Sequence, residues 1–267
     1  MIPTAAKIRF VEALAAAGLP VVEVTSFVSP RAVPQLADAD QVLGRLRRRP
    51  GVRYPVLVPN ERGLDRALAA GATEIALFAS ATEAFAAANL QATIAEMFDR
   101  FNPVAARALA AGLDIRGYVS VAFGCPFQGE VSPTDTARIV DHLFALGCYE
   151  VSLADTIGRA TPETVTQVIA AVTRSAPIER LALHLHDTGG RALANAAQGF
   201  ALGIRTFDTA AGGLGGCPFA PGSPGNLATE AIITDFEGQG IKTGVDRDQV
   251  IAAVAALRAD AAAGEAI

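Results

Sequence analysis

The segment HLHDTGG, residues 184–190, places two of the chain's three histidines one residue apart. On a β-strand, residues i and i+2 face the same side, roughly 6.6 Å apart. His184 and His186 therefore project together, while Asp187 turns to the other face or begins the loop. Two imidazoles on one strand face can occupy neighbouring corners of a metal's coordination sphere, with ring nitrogens about 2.0 to 2.2 Å from the ion. A strand histidine can equally pack and hydrogen-bond as part of the scaffold. The pairing, followed at once by Asp-Thr-Gly-Gly, favours metal binding. His142 lies inside the helical pattern TARIVDHLFALG and reads as a helix-surface residue.

A second group is GGLGGCPFAPGSPGN, residues 212–226, where six glycines and three prolines surround Cys217. Glycine permits close backbone approach and proline stiffens the chain, so this is a shaped loop of the kind that carries function. Cys125 and Cys148 fit small buried hydrophobes, which leaves Cys217, between Gly216 and Pro218, as the candidate for chemistry. Two carboxylates complete the set, Glu23 in VVEVTSF and Asp155 in SLADTIG. A carboxylate among Val and Leu is costly to bury unless paired, so each should meet a cation, a metal or a hydroxyl. Asp155 also fits a helix cap.

The elements that must position these residues are short β-rich runs at 20–27, 53–60, 74–80, 114–124, 150–155, 181–187 and 205–213, alternating with Ala- and Leu-rich segments of helical period. Gly18, Gly71, Gly112, Gly147 and Gly203 each end a helical pattern just before a run, as helix-stop glycines do. Ser, Thr, Asp and Asn follow the runs, the chemistry of helix N-caps. Repeated strand–helix units imply a parallel sheet, either open or closed as a barrel. No G-x-G-x-x-G follows the first run, which weakens the open dinucleotide-binding alternative. The chemistry-bearing residues fall at strand C-terminal ends, where a barrel keeps its active site.

With 51% hydrophobic and 18% charged residues over 267 positions, the chain can build one substantial core. A net charge of −5 lacks the basic surplus that nucleic acid or anionic membranes demand. No uncharged apolar run approaches the 18 residues needed to cross a bilayer. The opening stretch, with Glu12 inside it, reads as an amphipathic helix over 3–17 rather than a signal peptide. Three cysteines with wide separation match neither a disulfide framework nor a zinc spacing, so a reducing cytoplasm is expected.

Taken in order, VEVTSFVSPRAVPQLAD, YPVLVPN, RGYVSVAFGCPFQG, YEVSLADTIGRATP, LHLHDTGGRALAN and GGLGGCPFAPGSPGNLATE resemble the hydroxymethylglutaryl-CoA lyase family of metallolyase TIM barrels, over about 3–244. The loop cysteine separates this family from the isopropylmalate and citramalate synthase relatives. The resemblance implies a TIM (β/α)8 barrel spanning 1–267 as one domain. It implies a divalent-metal-dependent cleavage of 3-hydroxy-3-methylglutaryl-CoA to acetyl-CoA and acetoacetate, a step of leucine and ketone-body catabolism. By motif match, His184, His186 and Asn226 would hold Mg²⁺ or Mn²⁺. Cys217 would be the general acid, Glu23 would order the site, and Asp155 would line the same mouth. The partner would be an acyl-CoA small molecule, with no nucleic acid and no membrane, and a homo-oligomer stays open.

The family opens with a strand ending in Arg-Asp-Gly-Leu-Gln, which this chain lacks; it begins with the helix that would follow. The expectation is an N-terminally truncated barrel of about seven parallel strands, with a gap between the first and last rather than a tightened ring. Low solubility or stability is expected of such open edges. A non-catalytic remnant associated with a complete homologue, and a lyase for a longer-branched 3-hydroxyacyl-CoA, are the alternatives.

Overall fold

The computed structural model describes residues 1–215 and 225–265. Seven strands form one parallel sheet in chain order: β1 (Thr25–Ser26), β2 (Val56–Leu57), β3 (Glu74–Ser80), β4 (Asp114–Ser120), β5 (Glu150–Asp155), β6 (Leu181–Leu185) and β7 (Thr206–Asp208). Around them run α1 (Thr4–Ala16), α2 (Ala39–Arg45), α3 (Glu61–Ala69), α4 (Glu83–Leu90), α5 (Ile94–Ala110), α6 (Pro133–Ala145), α7 (Pro162–Val172), α8 (Ala192–Leu202), α9 (Thr229–Gly238) and α10 (Arg247–Glu265). The sheet curls as a partial barrel, the seven-stranded α/β arrangement that the sequence implies. Among the described residues β1 and β7 are its edges, and no pairing joins them.

The five helix-stop glycines all adopt positive φ, from 76° at Gly112 to 116° at Gly203, a region that disfavours any residue with a Cβ. The starts are equally explicit. Asn60, Thr82, Thr93, Ser132 and Thr161 each accept a backbone N–H of their own first turn, and Thr93 forms a reciprocal capping box with Glu96. Two runs are shorter as strands than their sequence suggests. Pro55 has no N–H, so the ladder joining 20–27 to 53–57 is interrupted: Arg53 N donates to Pro20 O and Val24 N to Pro55 O, but regular pairing resumes only at Thr25. In the last run, β7 stops at Asp208 because Ala211–Gly213 turns into a 3₁₀ helix.

Alternation along the strands sorts the side chains. Val151 and Leu153 of β5, and Leu181, Leu183 and Leu185 of β6, are buried in the main core against the helices. Ser152, Ala154, Ala182 and His184 face inward. A second apolar cluster joins α1, α2 and α10 through Ile8, Val11, Leu14, Val42, Val250 and Val254. The outward face thus supplies stability and the inward face is left for chemistry. Truncating Leu153 to Ala should cost about 2–5 kcal/mol, the usual effect of emptying a fully buried leucine site. Urea unfolding of wild type and Leu153→Ala checks this, and a loss below about 1 kcal/mol would contradict the assigned core.

Candidate active site

The inward face of the sheet and the loops above it enclose a cavity of about 980 Å³, lined among others by Glu23, Arg116, Tyr118, His184, His186, Asp208 and Asn226. His184 is inward-facing on β6, opposite Asp208 of β7 in the parallel register. His186 follows two residues on, where the strand ends and pairs antiparallel with Asn226. The two Nε2 atoms lie 3.2 Å apart. Segment 225–229 wedges between the upper ends of two strands: Leu227 N donates to Leu185 O, and Ala210 N donates to Leu227 O. That wedge brings Asn226 to the histidines from 40 residues downstream. Asn226 lines the same cavity as both rings.

Both imidazoles are held neutral. Enclosure by protein pushes the pKa of His184 down, against the opposing pull of Asp208. Burial and then the neighbouring His184 push that of His186 down to about 4. Two neutral rings whose Nε2 atoms meet at hydrogen-bonding distance, with roles set by the tautomer, are suited to a cation when both present their lone pairs to it. Metal–nitrogen bonds of about 2.0 to 2.2 Å at right angles would put the nitrogens about 3 Å apart, close to the observed separation. The residues present therefore fit a metal. Among the described residues, no group of three or more His, Cys, Asp or Glu side chains is arranged to hold one, so a site here rests on the two histidines and the neutral amide of Asn226.

Below the histidines lies a charge network. Arg116 of β4 is almost fully buried; its Nε donates to Glu150 at 2.8 Å, and its Nη1 donates to Tyr118 Oη at 2.7 Å and Asp208 at 3.0 Å. Its Nη2 sits 2.9 Å from the other Asp208 oxygen as an ion pair. Ser152 donates to Asp208 at 2.6 Å. Burial alone would drive the Asp208 pKa up, yet the Arg116 charge and the hydrogen bonds from Arg116 and Ser152 hold it below the ordinary value. Tyr118 Oη donates to Glu23 at 2.9 Å, and the Tyr118 ring meets His184 edge-on at 6.4 Å between centroids.

Glu23 is thus where the sequence reading puts it, beside the cavity and hydrogen-bonded to a hydroxyl. Its carboxyl is open to the cavity, and the protein packed around it raises its pKa to about 7, in part offset by Tyr118. Asp155 is not brought to the other site residues. It is 1% exposed, and its oxygens accept from Arg159 N at 2.8 Å and Ala160 N at 2.9 Å. It shapes the turn after β5 rather than lining the mouth, because its position alternates with the inward Ala154 and Thr156. Burial raises its pKa to about 6, with those backbone N–H groups acting against the rise. Cys217 lies outside the described residues. Cys125 and Cys148 are free and fully buried, and burial pushes Cys148 up to about 12. His142 is on the surface of α6, its ring 4.8 Å from that of Phe98.

Sequence reasoning missed Arg116, Tyr118 and Asp208. Arg116 in DIRGYV and Asp208 in RTFDTA carry the same signal as Glu23, a charge set inside a β-rich run.

Residues 1–257 match the model of the HMGL-like family. The chain is 46% identical to the mitochondrial hydroxymethylglutaryl-CoA lyase of Bos taurus over 95% of its own length and 78% of that protein's. It is 47% identical to the cytoplasmic 3-hydroxy-3-methylglutaryl-CoA lyase of Rattus norvegicus, over 95% of this chain and 74% of the relative. The crystal structure of the HMG-CoA lyase from Brucella melitensis superposes with a TM-score of 0.94 at 50% identity, covering 97% of this chain and 92% of that one.

The raised pKa of Glu23 has a testable consequence for stability. Between the ordinary carboxyl value and about 7, the folded chain keeps a proton that the unfolded chain has released, so this group's contribution falls as the pH climbs toward 7. Glu23→Gln removes that contribution. Its urea midpoint should gain on wild type between pH 5 and pH 8; a difference independent of pH would contradict the assignment.

Proposed function

The chain belongs to the HMGL-like family, and from that premise we propose that it is a carbon–carbon lyase that cleaves 3-hydroxy-3-methylglutaryl-CoA to acetyl-CoA and acetoacetate. The observation that carries the reading is the pair of neutral imidazoles converging at 3.2 Å beside a cavity of about 980 Å³, at the upper end of the typical range for small-molecule sites. His184, His186 and Asn226 would hold Mg²⁺ or Mn²⁺. Such an ion supplies Lewis-acid chemistry that lowers the pKa of a substrate hydroxyl and orients it.

The chain's own residues do the rest. The substrate's tertiary hydroxyl passes its proton to water in the cavity, its C–O bond becomes a carbonyl, and the carbon–carbon electron pair leaves with the thioester as an enolate. Cys217 is the residue proposed to hand that enolate carbon a proton. Glu23 acts through Tyr118, whose ring stands against His184, and so orders the site without touching the reacting atoms. Asp155 keeps the turn after β5 in shape. One domain with one active site accounts for all of these residues.

The cytoplasmic location belongs to the same proposal. Its support is the pair of free buried thiols, Cys125 and Cys148, together with the rat relative named as cytoplasmic. Among the described residues, no helix is long and apolar enough to cross a membrane.

The test is a coupled assay for acetyl-CoA release from 3-hydroxy-3-methylglutaryl-CoA with Mg²⁺ or Mn²⁺ added. His184→Ala and His186→Ala should each lose metal affinity and turnover together. Full activity of both variants in the presence of a chelator would remove the metal from the account. Cys217→Ser should leave substrate binding intact and slow turnover by about 10²- to 10⁴-fold, the range for lost acid–base assistance. If alkylation inactivates the enzyme at Cys125 while Cys217 stays free, the acid has been assigned to the wrong thiol.

A further inference from the structure

The described residues on the two sides of 216–224, Ala211 to Gly215 and Gly225 to Asn226, lie beside the histidines. The first foot is the turn Ala211–Gly213 followed by Leu214 and Gly215; the second is Gly225 and Asn226. The feet touch so closely that a Cβ built on Gly225 would fall 1.9 Å from Gly215 O. One side chain spans them: Asn226 Nδ2 donates to Leu214 O at 3.0 Å. Because a carbonyl takes that bond, the nitrogen end of the amide is the end on the foot. The oxygen end is then free for the cavity that Asn226 lines together with His184 and His186, its backbone bridged to that of His186.

The same foot is gripped from its other side. Glu230, in the first turn of α9, accepts the Gly212 backbone N–H at 2.9 Å. Gly212 has φ +69°, and a Cβ on it would meet Val254 Cγ1 of α10 at 2.7 Å. Glu230 and α10 thus fix Gly212, and Leu214, two residues closer to the loop, is held by Asn226.

We propose that Asn226 has two functions at once: its oxygen faces the cation site and its amide nitrogen fixes the first foot of the glycine-rich loop, so that filling of the His184–His186 site and ordering of Leu214 are coupled. The inference rests on the metal reading above for its first half and on the Leu214 hydrogen bond alone for its second. A cation drawing on the amide oxygen polarises the amide and strengthens its N–H as a donor, in the way that charge strengthens a hydrogen bond. By thermodynamic reciprocity, a foot held in place presents the oxygen to the cation in advance.

The experiment is hydrogen–deuterium exchange of the backbone amides in 209–215, with Mn²⁺ binding measured in parallel by calorimetry, on the full chain. In wild type, Mn²⁺ should slow exchange of this segment. Asn226→Asp keeps an oxygen for the histidines and loses the donor to Leu214. It should still bind Mn²⁺, yet exchange about 2- to 10-fold faster in 209–215, the change in opening that one hydrogen bond produces, and Mn²⁺ should not restore the protection. Asn226→Ser, with a shorter side chain, should show the same fast foot, and serves as the readout if the aspartate variant does not fold. Wild-type protection in both variants overturns the proposal whether or not Mn²⁺ binds. Failure of wild type to bind Mn²⁺ overturns the metal reading and the coupling, and the metal-free exchange rates still decide whether Asn226 fixes the foot.

Discussion

A guanidinium inside a sheet is the interaction on which the site depends. Arg116 is nearly sealed from solvent, and a lone buried charge of that kind would cost several kcal/mol. The fold answers with Glu150 from β5, Asp208 from β7 and the Tyr118 hydroxyl from its own strand. One side chain on the fourth strand therefore ties the fifth and seventh to it across the inner face. The pairing also fixes the charge near the histidines. Asp208, kept ionised by Arg116, stands opposite His184 in the register, and Tyr118 carries the network on to Glu23.

The consequence is a division between the two faces of one sheet. Outward positions are apolar and pack on helices, where contacts are non-directional and tolerant of small shifts. The polar inward positions are directional, and Arg116, Ser152, Thr206 and Asp208 each rely on a named partner. Ser152 and Thr206 show how far this goes: each donates a hydroxyl to a carboxylate, Asp208 and Glu150 respectively, that already has an arginine. A buried polar group left without such a partner would be expensive. The histidines are the members of this face whose ring nitrogens face each other and a cavity.

Much of this was legible in the sequence because it is local. The helix-stop glycines report a backbone conformation, the capping residues report a donor three positions on, and the His-x-His spacing reports a shared strand face. The lengths of β1 and β2 were less legible, since Pro55 removes a single donor and the effect appears only when the neighbouring strand is in place. The position of Asp155 was harder still: a carboxylate at a strand end can face the cavity or cap the following turn, and strand parity decides, with Ala154 and Thr156 inward and Asp155 not. The Arg116 network was invisible as a network, because its members come from strands separated by up to 92 residues. Asn226 lay between these cases. Motif resemblance marked it, but its bond to Leu214 depends on how the wedge 225–229 inserts between β6 and β7.

His184 and His186 are proposed to bind one divalent cation through their ring nitrogens. Pulsed electron paramagnetic resonance of the Mn²⁺-loaded protein reads that bond directly, through nitrogen modulation of the electron spin echo. Modulation from two imidazole nitrogens, reduced in His184→Ala and in His186→Ala, is the result the account predicts. Cleavage of the carbon–carbon bond of 3-hydroxy-3-methylglutaryl-CoA with Mn²⁺ bound but with no imidazole nitrogen coupling would rule that ligation out.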